Sequence, residues 1–234
     1  MNITLCQINP ILGNFNYNCK KILKFYKKCV DSNADIIVFP ELSITGYPPQ
    51  DLIWEDGFVD SNLEVLSKIA SASTVPLVIG YIRNNGKDYY NSAAICYDGK
   101  LQSFTDKILL PTYDIFDETR YFKRGVDPKV ISIPCNNKII KFGIQICEDL
   151  WDMNYSCKVS KIQKDMGAEI IVNISASPYH INRFYNRRDI ILEKINQTSL
   201  PFVYCNMVGA QDELVFDGQS VAYSSKGKLI NYGK

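Results

Sequence analysis

The sequence contains a single histidine, His180, among its 234 residues. A mechanism that needs two histidines is therefore excluded, and a Ser–His–Asp or Cys–His site would have to use His180. The eight cysteines form no Cys-x-x-Cys pair, which argues against zinc and iron–sulfur centres. Several of them lie inside apolar segments, a pattern typical of reduced thiols in a cytoplasmic protein.

A strong net charge and a long hydrophobic run are also absent. The net charge is +1, which gives no electrostatic footprint for nucleic acid or an anionic membrane. No apolar run approaches the roughly 18 residues that a membrane span needs, and the first residues lack the pattern of a signal peptide. With 46% hydrophobic and 22% charged residues, the chain has the composition of a soluble globular protein.

Hydrophobic periodicity predicts an α/β sandwich, with two mixed sheets flanked by helices. We expect one domain over residues 1–234, because no repeat, low-complexity tract or linker interrupts the pattern. The predicted strands are 3–8, 36–39, 76–81, 92–97, 101–105, 130–133, 139–146, 170–174, 202–207, 220–223 and 228–232. The predicted helices are 17–30, a second around 63–70, 159–166 ended by Gly167, and 184–196.

Cys147 directly follows a predicted strand and precedes Glu148 and Asp149. A thiol at such a turn can point into a cleft, and N–H groups at the start of a following helix would lower its pKa. A buried structural cysteine is the competing interpretation for this residue alone.

Charged side chains follow two other strands. Glu41 comes one proline after a buried strand, where partial desolvation suits a carboxylate to general-base chemistry. Lys107 lies at a strand end, where an ammonium can stabilise an oxyanion, and Glu118 is a second carboxylate within reach of the same loop. Taken singly, Glu41 also fits a loop cap or an ion pair, and Lys107 fits a surface lysine.

A third loop, residues 173–183, carries Ser177 and Arg183 after a strand. A guanidinium and a hydroxyl there could hold a carboxylate of a substrate through a forked geometry. The same loop also fits a helix start with Ser177 or Asn182 as the N-cap, and both interpretations can hold together.

The joint pattern resembles the nitrilase (carbon–nitrogen hydrolase) superfamily with its Glu–Lys–Cys triad. The resemblance is carried by Phe-Pro-Glu at 39–41, Asp-Lys-Ile-Leu-Leu-Pro at 106–111 and Ile-Cys-Glu-Asp at 146–149. Within the superfamily, the segments 46–52, 113–122 and 209–218 are similar to the glutaminase domain of glutamine-dependent NAD+ synthetases. The resemblance implies a nitrilase-type α-β-β-α sandwich.

By this resemblance Cys147 is the nucleophile, Glu41 the general base and Lys107 the oxyanion stabiliser, with the backbone N–H of Glu148 as a second oxyanion donor. The glutamine-binding residues that it implies are Tyr113, Glu118, Ser177 and Arg183. Two positions depart from the family pattern: Arg183 stands where lysine is usual, and Ala210 where glycine is frequent.

The implied reaction is hydrolysis of L-glutamine to glutamate and ammonia, with no cofactor in this domain. The Ser-Gly-Gly-x-Asp-Ser pyrophosphate loop of the synthetase half is absent from the sequence. ATP with Mg²⁺ and deamido-NAD+ are therefore expected to belong to a missing synthetase domain or chain, which would be the partner. The resemblance also implies a homo-oligomer. Two alternatives stay open: a free-standing amidase that acts on another amide, and an inactive truncated remnant.

Overall fold

The computed structural model describes residues 1–233, and its first sheet has five strands in the order β1-β2-β3-β4-β5. The strands are β1 (Ile3–Leu5), β2 (Ile36–Val38), β3 (Leu77–Asn84), β4 (Tyr89–Tyr97) and β5 (Lys100–Asp106). The first three are parallel, whereas β4 is antiparallel to both of its neighbours. Strands β2, β3 and β5 therefore all end at the same edge of the sheet.

The second sheet has six strands in the order β13-β12-β9-β8-β7-β6, and a separate hairpin is formed by β10 and β11. Strands β7, β8 and β9 are parallel, β6 and β12 flank them in antiparallel fashion, and β13 pairs antiparallel with β12. The bounds are β6 (Val130–Cys135), β7 (Lys138–Ile146), β8 (Ile170–Ser175), β9 (Phe202–Asn206), β10 (Val208–Gln211), β11 (Leu214–Asp217), β12 (Val221–Tyr223) and β13 (Leu229–Tyr232).

Helices lie between the strands along the chain, and the longer ones cover the outer faces of the sheets. The helices are α1 (Phe15–Asp31), α2 (Phe58–Ala72), α3 (Glu118–Tyr121), α4 (Val159–Asp165) and α5 (Arg183–Thr198), with short 3₁₀ turns at Gln50–Trp54, Cys147–Leu150 and Asp152–Asn154. Helix α1 begins where the side chain of Asn14 accepts a hydrogen bond from the N–H of Tyr17, at 3.1 Å. Ile22, Tyr26 and Cys29 then recur at helical spacing and are buried.

Three apolar layers follow from this arrangement. One lies between α1, α2 and the first sheet, and another lies between α5 and the second sheet. The third lies between the two sheets, where Val38 and Ile95 of the first sheet belong to the same cluster as Ile144 and Val172 of the second. The predicted α-β-β-α sandwich with two mixed sheets is therefore confirmed.

Most predicted elements are present, with shifted ends. Strand β1 ends at Leu5 rather than at residue 8, and α2 is longer than predicted because it begins at Phe58. Gly167, with a φ of +89°, follows the end of α4 as expected. The hairpin of β10 and β11 and the short helix α3 were not predicted. Within residues 1–233, no helix combines the length and the apolar character that a transmembrane segment requires.

Candidate active site

The side chains singled out from the sequence lie at the carboxyl ends of strands from both sheets. Glu41 follows β2 and Lys107 follows β5, at the same edge of the first sheet. Cys147 directly follows β7, and Ser177 follows the neighbouring parallel strand β8. Because the two sheets pack face to face, these strand ends meet in one buried region.

Lys107 joins two carboxylates in the interior. Its Nζ lies 2.8 Å from Oε1 of Glu41 and 2.8 Å from Oε1 of Glu118, and all three side chains are buried. Burial acts to lower the pKa of Lys107, but the charges of Glu118 and Glu41 outweigh it and hold the pKa well above its usual value. Lys107 is therefore an ammonium. Burial raises the pKa of Glu118, and Lys107 opposes that effect.

Both carboxylate oxygens of Glu41 are held by donors. Besides Lys107, Oε1 accepts a hydrogen bond from Nδ2 of Asn91 at 2.7 Å, and Oε2 accepts one from the backbone N–H of Ala176 at 2.8 Å. Asn91 was missed by the sequence reasoning, although a fully buried amide inside the apolar strand β4 was a usable signal. A carboxylate has about four acceptor positions, so three donors leave one free on Oε2.

Cys147 begins a 3₁₀ turn with a φ of +41°, in the left-handed region that a non-glycine residue seldom adopts. Such strain at a strand end is common where a side chain must be presented in an unusual direction. The carbonyl of Cys147 accepts a hydrogen bond from Nδ2 of Asn173 at 3.3 Å. Its thiol is buried in the same region as Glu41 and Lys107, whose charges act on it.

The expected lowering of the Cys147 pKa is wrong. Burial raises the pKa of the thiol, Glu41 raises it further, and Lys107 only partly opposes them. The following helix is a 3₁₀ turn of four residues, which has too few aligned peptide dipoles to offset that burial. The resting thiol is therefore neutral and needs a base to remove its proton.

Gly80 of β3 leaves room for the backbone of Glu41. A Cβ at this position would lie 2.1 Å from the backbone nitrogen of Leu42 and 2.6 Å from the carbonyl carbon of Glu41. We expect Gly80→Ala to lower the free energy of unfolding by about 1–3 kcal/mol. It should also lower the turnover of an amide substrate by about 100-fold, because a displacement near 1 Å has such an effect on catalytic groups.

The matched control is Gly86→Ala in the turn between β3 and β4. No atom lies within 4 Å of a Cβ there, although its φ of +88° makes the substitution strained. Thermal unfolding and steady-state kinetics of both variants test this prediction. Equal turnover in the Gly80 and Gly86 variants would show that the close packing of Gly80 does not position Glu41.

Glu148 presents a second carboxylate next to Cys147. Its Oε1 accepts hydrogen bonds from the hydroxyl groups of Tyr113 and Tyr155, both at 3.0 Å, and its Oε2 accepts one from Tyr113 at 2.9 Å. Burial raises the pKa of Glu148, while Lys107 and the two tyrosines oppose that shift. From the sequence, only the backbone of Glu148 was expected in the site, and neither its side chain nor Tyr155 was predicted.

Arg183 begins α5 and contacts the loop that follows β8. Its Nε and Nη2 donate to the hydroxyl of Ser177 at 3.2 and 3.1 Å, and its guanidinium lies 4.2 Å from the ring centroid of Trp151. Asn182 is the N-cap of α5 by position, but its side chain makes no capping bond. Ser177 thus serves as a partner of Arg183 rather than as the cap.

The two remaining candidates lie apart from the buried charges. His180 is exposed, and its Nε2 lies 3.3 Å from Nη1 of Arg183, so its imidazole contacts a guanidinium rather than the thiol of Cys147. Ala210 is exposed in β10, where it pairs with Val215 of β11. Nothing in the structure explains why alanine stands at this position.

The two packed sheets thus bring a buried glutamate, lysine and cysteine together at one edge. A family model described as carbon–nitrogen hydrolase matches residues 2–232, and the chain belongs to that family. The glutamine-dependent NAD+ synthetases of Thermotoga maritima and Aquifex aeolicus are 41% and 38% identical to the whole chain. The chain spans about 40% of the length of each of these curated relatives.

Solved structures also superpose on this chain. The glutamine-dependent NAD+ synthetase from Acinetobacter baumannii, solved with ADP, superposes with a TM-score of 0.91 at 30% identity, over 99% of this chain and 43% of that chain. An amidase from Nesterenkonia sp. superposes with a TM-score of 0.86 at 20% identity, over 100% of this chain and 86% of its own. The second comparison shows the fold alone.

Proposed function

We propose that this chain is the glutamine amidohydrolase part of a glutamine-dependent NAD+ synthetase. The observation that carries the proposal is the presence of two sets of groups in and beside one buried region. Glu41, Lys107 and Cys147 can cleave an amide, and Glu148 and Arg183 can bind the charged end of an amino acid. The similarity to the synthetases supports glutamine as the amino acid.

The first chemical step is attack by Cys147. Glu41 takes the thiol proton on the acceptor position of Oε2 that the three existing donors leave free. The sulfur then forms a bond to the side-chain amide carbon of glutamine, and the carbonyl oxygen becomes an oxyanion. The ammonium of Lys107 and the backbone N–H of Glu148 stabilise that oxyanion, and each such donor contributes roughly 100-fold or more in rate.

The second half of the reaction restores the enzyme. Protonated Glu41 gives its proton to the departing nitrogen, the carbon–nitrogen bond breaks and ammonia leaves. A thioester between glutamate and Cys147 remains. Glu41 then takes a proton from a water molecule, the hydroxide attacks the thioester, and glutamate leaves as the thiol is reformed. The ion pairs with Glu41 and Glu118 hold the ammonium of Lys107 in place, next to the groups whose charge changes during the reaction.

Charge complementarity supports recognition of the α-amino acid group. Glu148 offers a carboxylate to the substrate ammonium, and the hydroxyl groups of Tyr113 and Tyr155 fix its orientation. Arg183 offers a guanidinium to the substrate carboxylate, with Ser177 beside it. A planar guanidinium suits a carboxylate because two parallel N–H bonds can form.

We expect Glu148→Gln to remove the preference for the α-ammonium group. The wild-type protein should prefer glutamine over glutaramic acid, which has the same amide chain without the amino group, by about 100-fold or more in kcat/KM. In the variant that ratio should fall to within about tenfold, mainly through a higher KM for glutamine. Because both substrates carry the same amide, the ratio separates recognition from chemistry.

Steady-state kinetics with the two substrates and an ammonia assay provide the measurement. Preference for glutaramic acid or another non-glutamine amide by the wild-type protein would instead favour a free-standing amidase. Absence of turnover with every amide, despite a folded protein, would favour an inactive remnant.

We further propose that the ammonia serves an ATP-dependent amidation of deamido-NAD+ to NAD+. ATP, Mg²⁺ and deamido-NAD+ would then bind a synthetase domain or chain outside residues 1–234. The synthetase relatives, of which this chain spans about 40%, support that partner. The resemblance also supports a homo-oligomer, which light scattering on the purified protein tests. The cysteines inside apolar segments support a cytoplasmic location.

A further inference from the structure

The side chain of Asp149 contacts the backbone on two sides of the site. Its Oδ1 accepts hydrogen bonds from the N–H groups of Ile108 and Leu109 at 3.0 and 2.9 Å. Its Oδ2 accepts one from the N–H of Ile146 at 2.9 Å. The residue is 2% exposed, so these three backbone groups replace water as its hydrogen-bond partners.

The three donors belong to the segments that carry the reacting groups. Ile108 directly follows Lys107 after β5, and Ile146 directly precedes Cys147 at the end of β7. Strands β5 and β7 belong to different sheets. One carboxylate therefore joins the two sheets at the edge where the ammonium of Lys107 and the thiol of Cys147 must meet.

We propose that Asp149 is a positioning residue that fixes the separation between the ammonium of Lys107 and the thiol of Cys147. The proposal rests on the proposed function, because it assigns Asp149 a role in the same amide hydrolysis. Asp149 touches neither the substrate nor the reacting atoms and acts through the backbone on both sides. Its effect falls on the chemical step, because Glu148 and Arg183 hold the charged end of the substrate through other partners.

The chemistry of the three contacts requires a carboxylate. An asparagine would offer one acceptor oxygen and would turn an NH₂ group towards at least one backbone N–H. The buried charge is unfavourable in itself, since burial raises the pKa of Asp149 to about 7 against the opposing effect of its backbone hydrogen bonds. Cys147 has a left-handed backbone conformation, which is strained for a non-glycine residue. The hydrogen bond from the N–H of Ile146 to Asp149 holds the residue just before Cys147 and so helps to maintain that conformation.

The test compares Asp149→Asn with Glu169→Gln. Glu169 is a matched control because its carboxylate also accepts a backbone N–H bond, from Lys141 at 2.9 Å, but it is exposed and distant from the strand ends of the site. We expect the Asp149 variant to lose about 10- to 100-fold in kcat for glutamine with KM within about threefold of wild type. The control should keep both constants. An unchanged kcat in a folded Asp149 variant overturns the proposal, as does a loss that appears only in KM.

Two further variants cover the case in which Asp149→Asn does not fold. Replacing Leu109 by the α-hydroxy acid with the same side chain converts one N–H donor into an ester oxygen and leaves the carboxylate in place. The same exchange at Ile146 removes the donor on the cysteine side. Each ester variant should lose about threefold or more in kcat with KM unchanged. Wild-type kcat in both ester variants overturns the proposal.

Alkylation of Cys147 by iodoacetamide separates this proposal from the proposed function. We expect the labelling rate of Cys147 in the Asp149 variant, or in the ester variants if it does not fold, to fall about fivefold or more, because the thiol loses its alignment with Glu41 and Lys107. An unchanged or faster rate counts against Asp149 as a positioning residue. If the wild-type protein hydrolyses no glutamine, the proposed function fails, and the alkylation rates alone decide the role of Asp149.

Discussion

Cys147→Ala is expected to lower glutamine hydrolysis by about 10⁴-fold or more, because the reaction would lose the atom that forms the covalent intermediate. The remaining groups, Glu41 and Lys107, can still polarise an amide but cannot form a thioester. The fold should tolerate the change, since alanine removes only one buried sulfur, which is uncharged in the resting protein.

Cys157→Ala is the matched control for this prediction. Cys157 is a half-buried free thiol that takes no part in the proposed reaction. Ammonia release from glutamine should remain at the wild-type level in this variant. Turnover that survives in Cys147→Ala, or that disappears in Cys157→Ala, would refute the assignment of the nucleophile.

Lys107→Met is expected to inactivate the protein and to destabilise it. The substitution keeps the approximate volume of the side chain but leaves the carboxyl groups of Glu41 and Glu118 buried without their shared cation. Removal of one partner from a buried ion pair typically lowers the free energy of unfolding by about 3–5 kcal/mol. For a chain of this length, that corresponds to a fall in Tm of roughly 6–20 °C.

A double variant separates the two effects of Lys107. Lys107→Met with Glu118→Gln removes one of the two unpaired carboxylates, so we expect it to recover part of the lost stability. Activity should stay absent, because no ammonium stabilises the oxyanion. Thermal unfolding and glutamine turnover of both variants check this prediction. A Tm within about 2 °C of wild type for Lys107→Met would show that the buried cation does not hold the two glutamates in place.

The alternation of apolar strands and helices predicted the sandwich because each sheet has one face on the inter-sheet core and another under helices. The resemblance to the superfamily implied that Glu41 and Lys107 act together, and the structure places Nζ of Lys107 2.8 Å from Oε1 of Glu41. The hairpin of β10 and β11 was not predicted. Its ten residues alternate weakly and pair mainly with each other, so the local pattern resembles a loop.

The hydrogen-bond partners of the site residues were harder to predict than the positions of the site residues themselves. Asn91 lies 50 residues from Glu41 in sequence, and Tyr155 bonds to Glu148 from a segment with no regular period. Such contacts depend on the final three-dimensional arrangement, which a local pattern does not contain. The direction of the Cys147 pKa was predicted wrongly because burial, a property of the folded chain, outweighs the short helix that follows.

A covalent label on the attacking atom is the most direct test of the proposal that Cys147 is the nucleophile. A glutamine analogue with a diazoketone in place of the side-chain amide should bind through its α-amino acid group and alkylate the attacking sulfur. Peptide mass spectrometry after one equivalent of inactivation is the measurement. We expect a single adduct on Cys147, formed more slowly in the presence of excess glutamine and absent in Cys147→Ala. Inactivation with the adduct on another residue, and with Cys147 unmodified, would contradict it.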